Sequence, residues 1–316
     1  MKTIKLNNKV SINITPKAPY NFNANFHKPS HFPSSDVLWI ENKYYKTMVW
    51  NKQKLGLKFV NKGTITKPII KLTIYSSKKL SKDYINNLLL EIRWRCNIDS
   101  DISEFNKFKN NKILGPIIKK WKGMKLIHTN SLYESIIIMI VLQNATVRRT
   151  VQMFENLFKK YGTKLVFDNK ELFSFWEPKN IAKSTEQELR DLKVGYRAKF
   201  ILKVSEQFYN KEINEFELRT KPKEELKTEL LSIYGIGPAS VDYLMPDILD
   251  VIPPWEQKIM SKVLFNKKLV SDKKILNFFR TNYKGWEKLA FHYIWEDLFW
   301  KRKNEHIEWL EKEIRL

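Results

Sequence analysis

The chain has 316 residues, with 57 Lys and Arg against 34 Asp and Glu for a formal charge of +23, and 43% of it is hydrophobic, including 10 Trp. That surplus makes a polyanion the expected partner, and the apolar content excludes a disordered basic tail. The one cysteine, Cys96, excludes an intrachain disulfide, a Cys-ligated zinc site and a four-cysteine iron–sulfur cluster, and of five histidines only His27 and His31 are closely spaced, flanking Pro29 in a loop-like stretch, so no metal or cofactor is expected.

Taken in chain order, Val10–Ile14, Tyr44–Trp50, Leu55–Val60 and Ile69–Tyr75 are short, rich in β-branched and aromatic residues and separated by Asn-Lys, Lys-Gly and Pro. They predict an antiparallel sheet. From Asp83 to Cys96 the apolar residues Ile85, Leu88, Leu89 and Ile92 recur with helical spacing, and that period holds beyond it. Further helices are expected at Ser131–Val141, Val147–Tyr161, Glu186–Leu192, Ala198–Tyr209, Lys223–Ile233, Pro238–Met245, Glu256–Phe265, Lys273–Arg280 and Trp286–Leu316. The fold class is α+β: an N-terminal β-rich domain over residues 1–98, then a helical region over residues 99–316. The longest apolar run, Ile136–Leu142, is far short of the roughly 20 residues that cross a bilayer. No apolar stretch follows Met1-Lys2-Thr3-Ile4-Lys5, so neither a membrane partner nor secretion is expected, and the location should be cytoplasmic, nucleoid-associated or nuclear. The first 110 residues hold 20 basic against 7 acidic side chains, so the charge is no detachable tail, although the sheet carries more of it than a helical binding region would suggest.

Only 9 glycines occur in the chain, yet Gly235 and Gly237 bracket Ile236 between two helical segments. Glycine supplies the backbone freedom of a tight turn, Ile236 can anchor that turn in the core, and Pro238 opens the next helix where its missing N–H costs nothing. The free amides at that helix start suit a phosphate oxygen, whatever the nucleotide sequence. A plain helix–helix turn is the competing explanation for Gly-x-Gly alone.

The longer segment Leu230-Leu231-Ser232-Ile233-Tyr234-Gly235-Ile236-Gly237-Pro238-Ala239-Ser240-Val241-Asp242-Tyr243-Leu244 closely resembles the helix-hairpin-helix of the HhH-GPD DNA glycosylase superfamily. The similarity continues in order along the chain. Val251-Ile252-Pro253-Pro254-Trp255-Glu256 matches the Pro and acidic residue that follow the hairpin, with Glu256 19 positions after Gly237. Gln143-Asn144-Ala145-Thr146-Val147-Arg148-Arg149 looks like the segment that inserts a wedge into DNA, Gly195-Tyr196-Arg197-Ala198-Lys199 like a helix entry, and Gly285-Trp286 like the start of the last core helix. The β-rich beginning is similar to the alkylpurine and 8-oxoguanine glycosylase branches.

The resemblance implies a helical region folded as two lobes around a cleft, and base excision repair by hydrolysis of the N-glycosidic bond of a flipped base in double-stranded DNA. Glu256 then holds the carboxylate that stabilises an oxocarbenium-like transition state and positions water. The family usually has Asp there, and the extra methylene of Glu demands a compensating shift. An acidic residue serving only the helix dipole is the alternative. Asp242, Asp247 and Asp250 are rival carboxylates, Asp242 being expected in a packing role. Ala239 stands where lyase members carry a Schiff-base lysine, which argues for a monofunctional hydrolase and places alkylated purines first and oxidised guanine second. Lys258 could replace that amine but is better read as solvated. Gly235, Ile236, Gly237 and Pro238 would hold the backbone, Gln143 and Asn144 would fill the gap left by the flipped base, and Arg148, Arg149, Arg197 and Lys199 would contact phosphates. Trp255 would stack on the base, while Trp286 and Phe291 suit the core. A monovalent cation at the hairpin is compatible with the resemblance, and a monomer suffices for one flipped base. A non-catalytic DNA-binding or damage-recognition protein that retained the hairpin is the alternative function.

Overall fold

The computed structural model describes residues 2–245 and 247–314, and among them eight strands form two sheets. The strands are β1 (Thr3–Lys5), β2 (Asn8–Ile14), β3 (Val37–Ile40), β4 (Lys43–Trp50), β5 (Gln53–Asn61), β6 (Ile70–Ser76), β7 (Thr163–Phe167) and β8 (Lys170–Ser174). The larger sheet is antiparallel in the order β2-β6-β5-β4-β3, with Lys46 opposite Leu57, Leu57 opposite Ile74 and Ile74 opposite Val10. Period-two alternation sends Leu55, Leu57 and Phe59 of β5 to one face, where they meet Leu72, Ile74 and the Leu88 and Ile92 side chains of the helix Lys82–Arg95. The opposite face carries Tyr45, Gly56 and Tyr75, and against it packs Phe167.

That phenylalanine belongs to a hairpin absent from the sequence expectations. After the helix Val147–Tyr161 stops at Gly162, β7 and β8 turn through Asp168 and Asn169, both in the left-handed region at φ 50° and 57°. β1 then pairs parallel with β7, so the second sheet joins the chain start to the helical region. Asp168 fastens the hairpin tip to the large sheet, accepting from the Tyr45 and Tyr75 hydroxyls at 2.9 Å each and from Lys58 Nζ at 2.6 Å.

The helical region has two cores. One gathers Ile136, Ile140, Phe154, Phe158, Ile201 and the hairpin residues Ile236 and Val241. The other is assembled from two separated stretches, Phe105, Leu114 and Met124 on one side and Leu249, Ile259, Phe279, Tyr283 and Ile294 on the other. The chain crosses between the cores after Ile248, which closes the first, and Leu249, which opens the second. The two lobes expected from the resemblance therefore meet immediately before the helix that bears Glu256.

Candidate active site and DNA-facing loops

Three loops distant in sequence are tied into one surface. The segment 143–146 links the helices Leu132–Leu142 and Val147–Tyr161, and Thr146 caps the latter by accepting from Arg149 N at 3.2 Å. Gln143 Nε2 donates to the Gly235 carbonyl at 2.9 Å, coupling this loop to the hairpin. The Arg197 guanidinium donates to the Gln143 carbonyl and packs on Tyr196, while Arg149 donates to the Lys193 carbonyl. Asn144 is exposed in a left-handed conformation, φ 49°, between these loops. Arg148 and Lys199 are also exposed. Arg197 is 7% exposed, and its guanidinium is committed to the carbonyls of Gln143 and Val194. It braces the loops rather than standing free for a phosphate.

The hairpin joins the helices Lys223–Ser232 and Pro238–Leu244. Ile236 is buried, as its apolar position predicts, and Gly235 has φ 83° with no room for a Cβ beyond 3.0 Å from Phe200. A Cβ at Gly237 would meet nothing within 4 Å, so this position faces open space. Among the described residues, the Gly237 and Ala239 amides have no acceptor within the chain. No group of three or more His, Cys, Asp or Glu among the described residues is placed to hold a metal ion.

Glu256 lies in the first turn of the helix Pro254–Phe265, which Pro254 opens. Asp242, on the second hairpin helix, positions the chain leading to it. Its buried carboxylate accepts from the Asp250 amide at 3.0 Å and the Val251 amide at 3.3 Å, pinning the strand of backbone that runs into Pro253. Asp242 thus has the structural role expected of it, and Asp250 is bridged to Lys227 at 2.8 Å and Arg280 at 3.2 Å, whereas Asp247 is exposed. Burial pushes the half-buried Glu256 carboxyl up to about 7, opposed by the Lys288 amine and reinforced by the Asp242 carboxylate. Lys258 points away, 3.4 Å from Glu313 and half exposed. Trp255 is 44% exposed, with its ring 5.0 Å from that of Trp295 in an edge-to-face arrangement, while Phe291 is buried in the core that Trp286 packs against.

Residues 137–311 match the family model described as the HhH-GPD superfamily base excision DNA repair protein. The chain belongs to this superfamily. It is 18% identical over 249 residues to a DNA-3-methyladenine glycosylase of Bacillus subtilis (strain 168), covering 73% of this chain and 82% of the relative. Among solved structures, a 3-methyladenine DNA-glycosylase from Archaeoglobus fulgidus superposes with a TM-score of 0.75 at 15% identity, over 91% of this chain and 99% of that one. The apo 8-oxoguanine glycosylase/lyase of Clostridium acetobutylicum has a TM-score of 0.67 at 18% identity, over 90% and 95% of the two chains. These likenesses establish an HhH-GPD fold across nearly the whole chain, sheet included.

In this HhH-GPD chain the tertiary structure adds polar groups to the site that no local motif announced. Lys288, in the first turn of the helix Glu287–Asn304, donates to the Asp242 carbonyl at 3.1 Å and lies 3.9 Å from its carboxylate. His292 and Glu296 follow on the same helix at four-residue spacing. Lys28, from the segment after the short helix Phe22–Phe26, is buried with Nζ 2.7 Å from His292 Nε2. The i, i+4, i+8 series Lys288, His292, Glu296 was a readable signal, though inside a helix it points equally well to solvent. Two surface hollows of about 480 and 340 Å³ open elsewhere, and none of these residues lines them.

Proposed function

We propose that this base excision DNA repair protein is a DNA glycosylase that hydrolyses the N-glycosidic bond of a flipped, damaged purine, with Glu256 as its catalytic carboxylate and without lyase activity. The observation that carries this reading is the placement of Glu256: half-buried where the two lobes meet, at a helix start held by Asp242 of the hairpin. A carboxylate there opposes the positive charge that develops at C1′ and can take the proton of the attacking water. Ala239 has no amine to form a Schiff base, which supports hydrolysis over lyase chemistry. The relatives named for 3-methyladenine and 8-oxoguanine activities support a purine lesion as substrate. Gly237 and the exposed Asn144, Arg148 and Lys199 would meet the duplex, Gln143 and Arg197 would set the loops, and Trp255 would flank the extruded nucleotide. One monomer and one duplex complete the assembly in this reading.

The test is base release from duplexes that each carry one alkylated, oxidised or deaminated purine. Wild type should free at least one base, and Glu256→Gln should lose about a hundredfold or more of that rate while still binding the duplex. If wild type binds every duplex and frees no base, the protein is a damage-recognition module instead. Covalent trapping by borohydride would contradict the hydrolytic mechanism.

A further inference from the structure

Lys288, His292 and Glu296 form a stripe one helical turn apart, and its two ends are chemically different. At the first end Lys288 donates to the Asp242 carbonyl, and its charge acts on Glu256. At the other, Glu296 is 1% exposed, with Oε1 accepting from Ser30 Oγ at 2.6 Å and Oε2 buried without a partner. His292 lies between them with 14% of its side chain exposed. Tyr243 from the hairpin helix and His128 from the linker lie by this stripe, their rings 6.2 Å apart, and His128 Nε2 is also buried without a partner. His31 flanks Lys28 and His292. The stripe therefore leads away from Glu256 past Lys28, His31, His128 and Tyr243, and the exposed His31 and Tyr243 leave this face, termed the recess here, open to solvent.

The protonation pattern of the recess follows from its contacts. Lys28 Nζ has only donors, so at 2.7 Å it donates to His292 Nε2, which places the imidazole proton on Nδ1. Burial, aided by the Lys28 charge, holds His292 well below its ordinary value, so the ring is a neutral donor backed by an ammonium. Burial raises the Glu296 carboxyl, opposed by the Lys28 charge and the hydrogen bond from Ser30. The recess thus presents donors and positive charge to whatever enters from the side of Glu256.

We infer that this recess holds the leaving base, and that Lys28 and His292 select a neutral purine lesion, oxidised or deaminated, over an N-alkylated cationic purine. The inference rests on the glycosylase reading and names the substrate class of the same site. When the C1′–N9 bond breaks, its electron pair stays on the base. A neutral purine therefore departs as an anion, whereas a cationic alkylated purine departs neutral and needs no such help. Water adds to C1′ and gives a proton to Glu256, and the base anion, countered by the Lys28–His292 pair, recovers a proton after release. A cationic base would meet the repulsion of Lys28 and Lys288 with no gain at the transition state. This order is the reverse of the one that Ala239 suggests.

The experiment compares single-turnover release of 8-oxoguanine and hypoxanthine with that of N7-methylguanine and N3-methyladenine from otherwise identical duplexes. Wild type should favour the neutral lesions, and Lys28→Met and His292→Phe should each lower the neutral-to-alkylated ratio by about tenfold to a hundredfold. Melting temperatures identify a variant that fails to fold, and His292→Gln, which keeps a donor, should recover part of the ratio. Preference of wild type for the alkylated bases, or variants that slow both classes equally, would overturn the inference and leave the glycosylase reading standing. Release of no base by wild type would remove both.

Discussion

At the scale of single residues, the proposed catalytic role of Glu256 requires it to carry charge in a place where burial opposes charge. With its carboxyl pushed up to about 7, the active, ionised form accumulates only as pH rises through neutrality. The rate of base release should therefore climb between pH 6 and 8, to about a tenfold gain, and a profile flat over that range would exclude Glu256 as the titrating base. The same burial has a thermodynamic consequence. At about pH 4 the side chain is protonated in folded and unfolded chains alike, whereas above the folded value the folded chain must hold a desolvated anion that the unfolded chain solvates freely. Glu256→Gln removes that cost, so its melting temperature should exceed that of wild type at pH 8 and match it at pH 4, a gain in stability bought with activity. Of the candidate residues, Glu256 was legible in its position because that signal is local: an acidic residue opening a helix at a set distance after a glycine hairpin. Arg197 was legible only as a basic residue. One of the two carbonyls that turn it from a DNA contact into a brace is 54 residues away, at Gln143.

At the scale of elements, the strands β2, β4, β5 and β6 follow their alternation closely, and most of the main helices fall within a few residues of their periodic stretches, but the helix expected over Trp286–Leu316 ends at Asn304 and is followed by a separate short helix, Glu308–Glu313. The missed elements are short or need a partner. β3 is a four-residue edge strand, and β7–β8 is a hairpin whose Asp168-Asn169 turn was a usable signal beside the alternation of Thr163–Phe167. The helix expected from Glu186 to Leu192 instead widens into a π turn over Arg190–Val194 with Lys193 left-handed, which brings its carbonyl to Arg149. Two glycines distinguish packing from exposure. A Cβ at Gly56 would lie 2.5 Å from the Phe167 ring, so Gly56→Val should destabilise the protein by about 1–3 kcal/mol through overpacking between the two sheets, as read from the urea midpoint. At Gly237 the added side chain points into open space, so Gly237→Leu should melt like wild type yet bind every duplex more weakly, damaged or intact. Weakening confined to one lesion would contradict a backbone-phosphate role for the hairpin.

At the scale of the whole molecule, the charge of +23 overstates the surface available to DNA. Lys28, Lys46 and Lys125 are 7%, 4% and 0% exposed, and each has internal partners. Lys46 donates to Asp36 and Asn130 at 2.7 Å each, and Lys125 donates to the carbonyls of Lys17 and Ser100 at 3.1 and 2.6 Å. Part of the basic excess of the first 110 residues and the adjoining linker therefore holds the sheet to the helical lobes. Salt dependence separates the two populations: Arg148→Ala and Lys199→Ala should each reduce the slope of log affinity against log salt by about 1, whereas Arg197→Ala should chiefly lower the melting temperature. The sequence alone determined the α+β class, the order of sheet and helices, the hairpin and the carboxylate beyond it, because periodicity, turn chemistry and short spacings are properties of adjacent residues. Only the tertiary structure decided which side chains share the recess. Lys28 and His292 are 264 positions apart, and their 2.7 Å contact exists because one segment leaving the sheet packs against the last long helix. No local pattern encodes such a pair, since either residue by itself is as well suited to water.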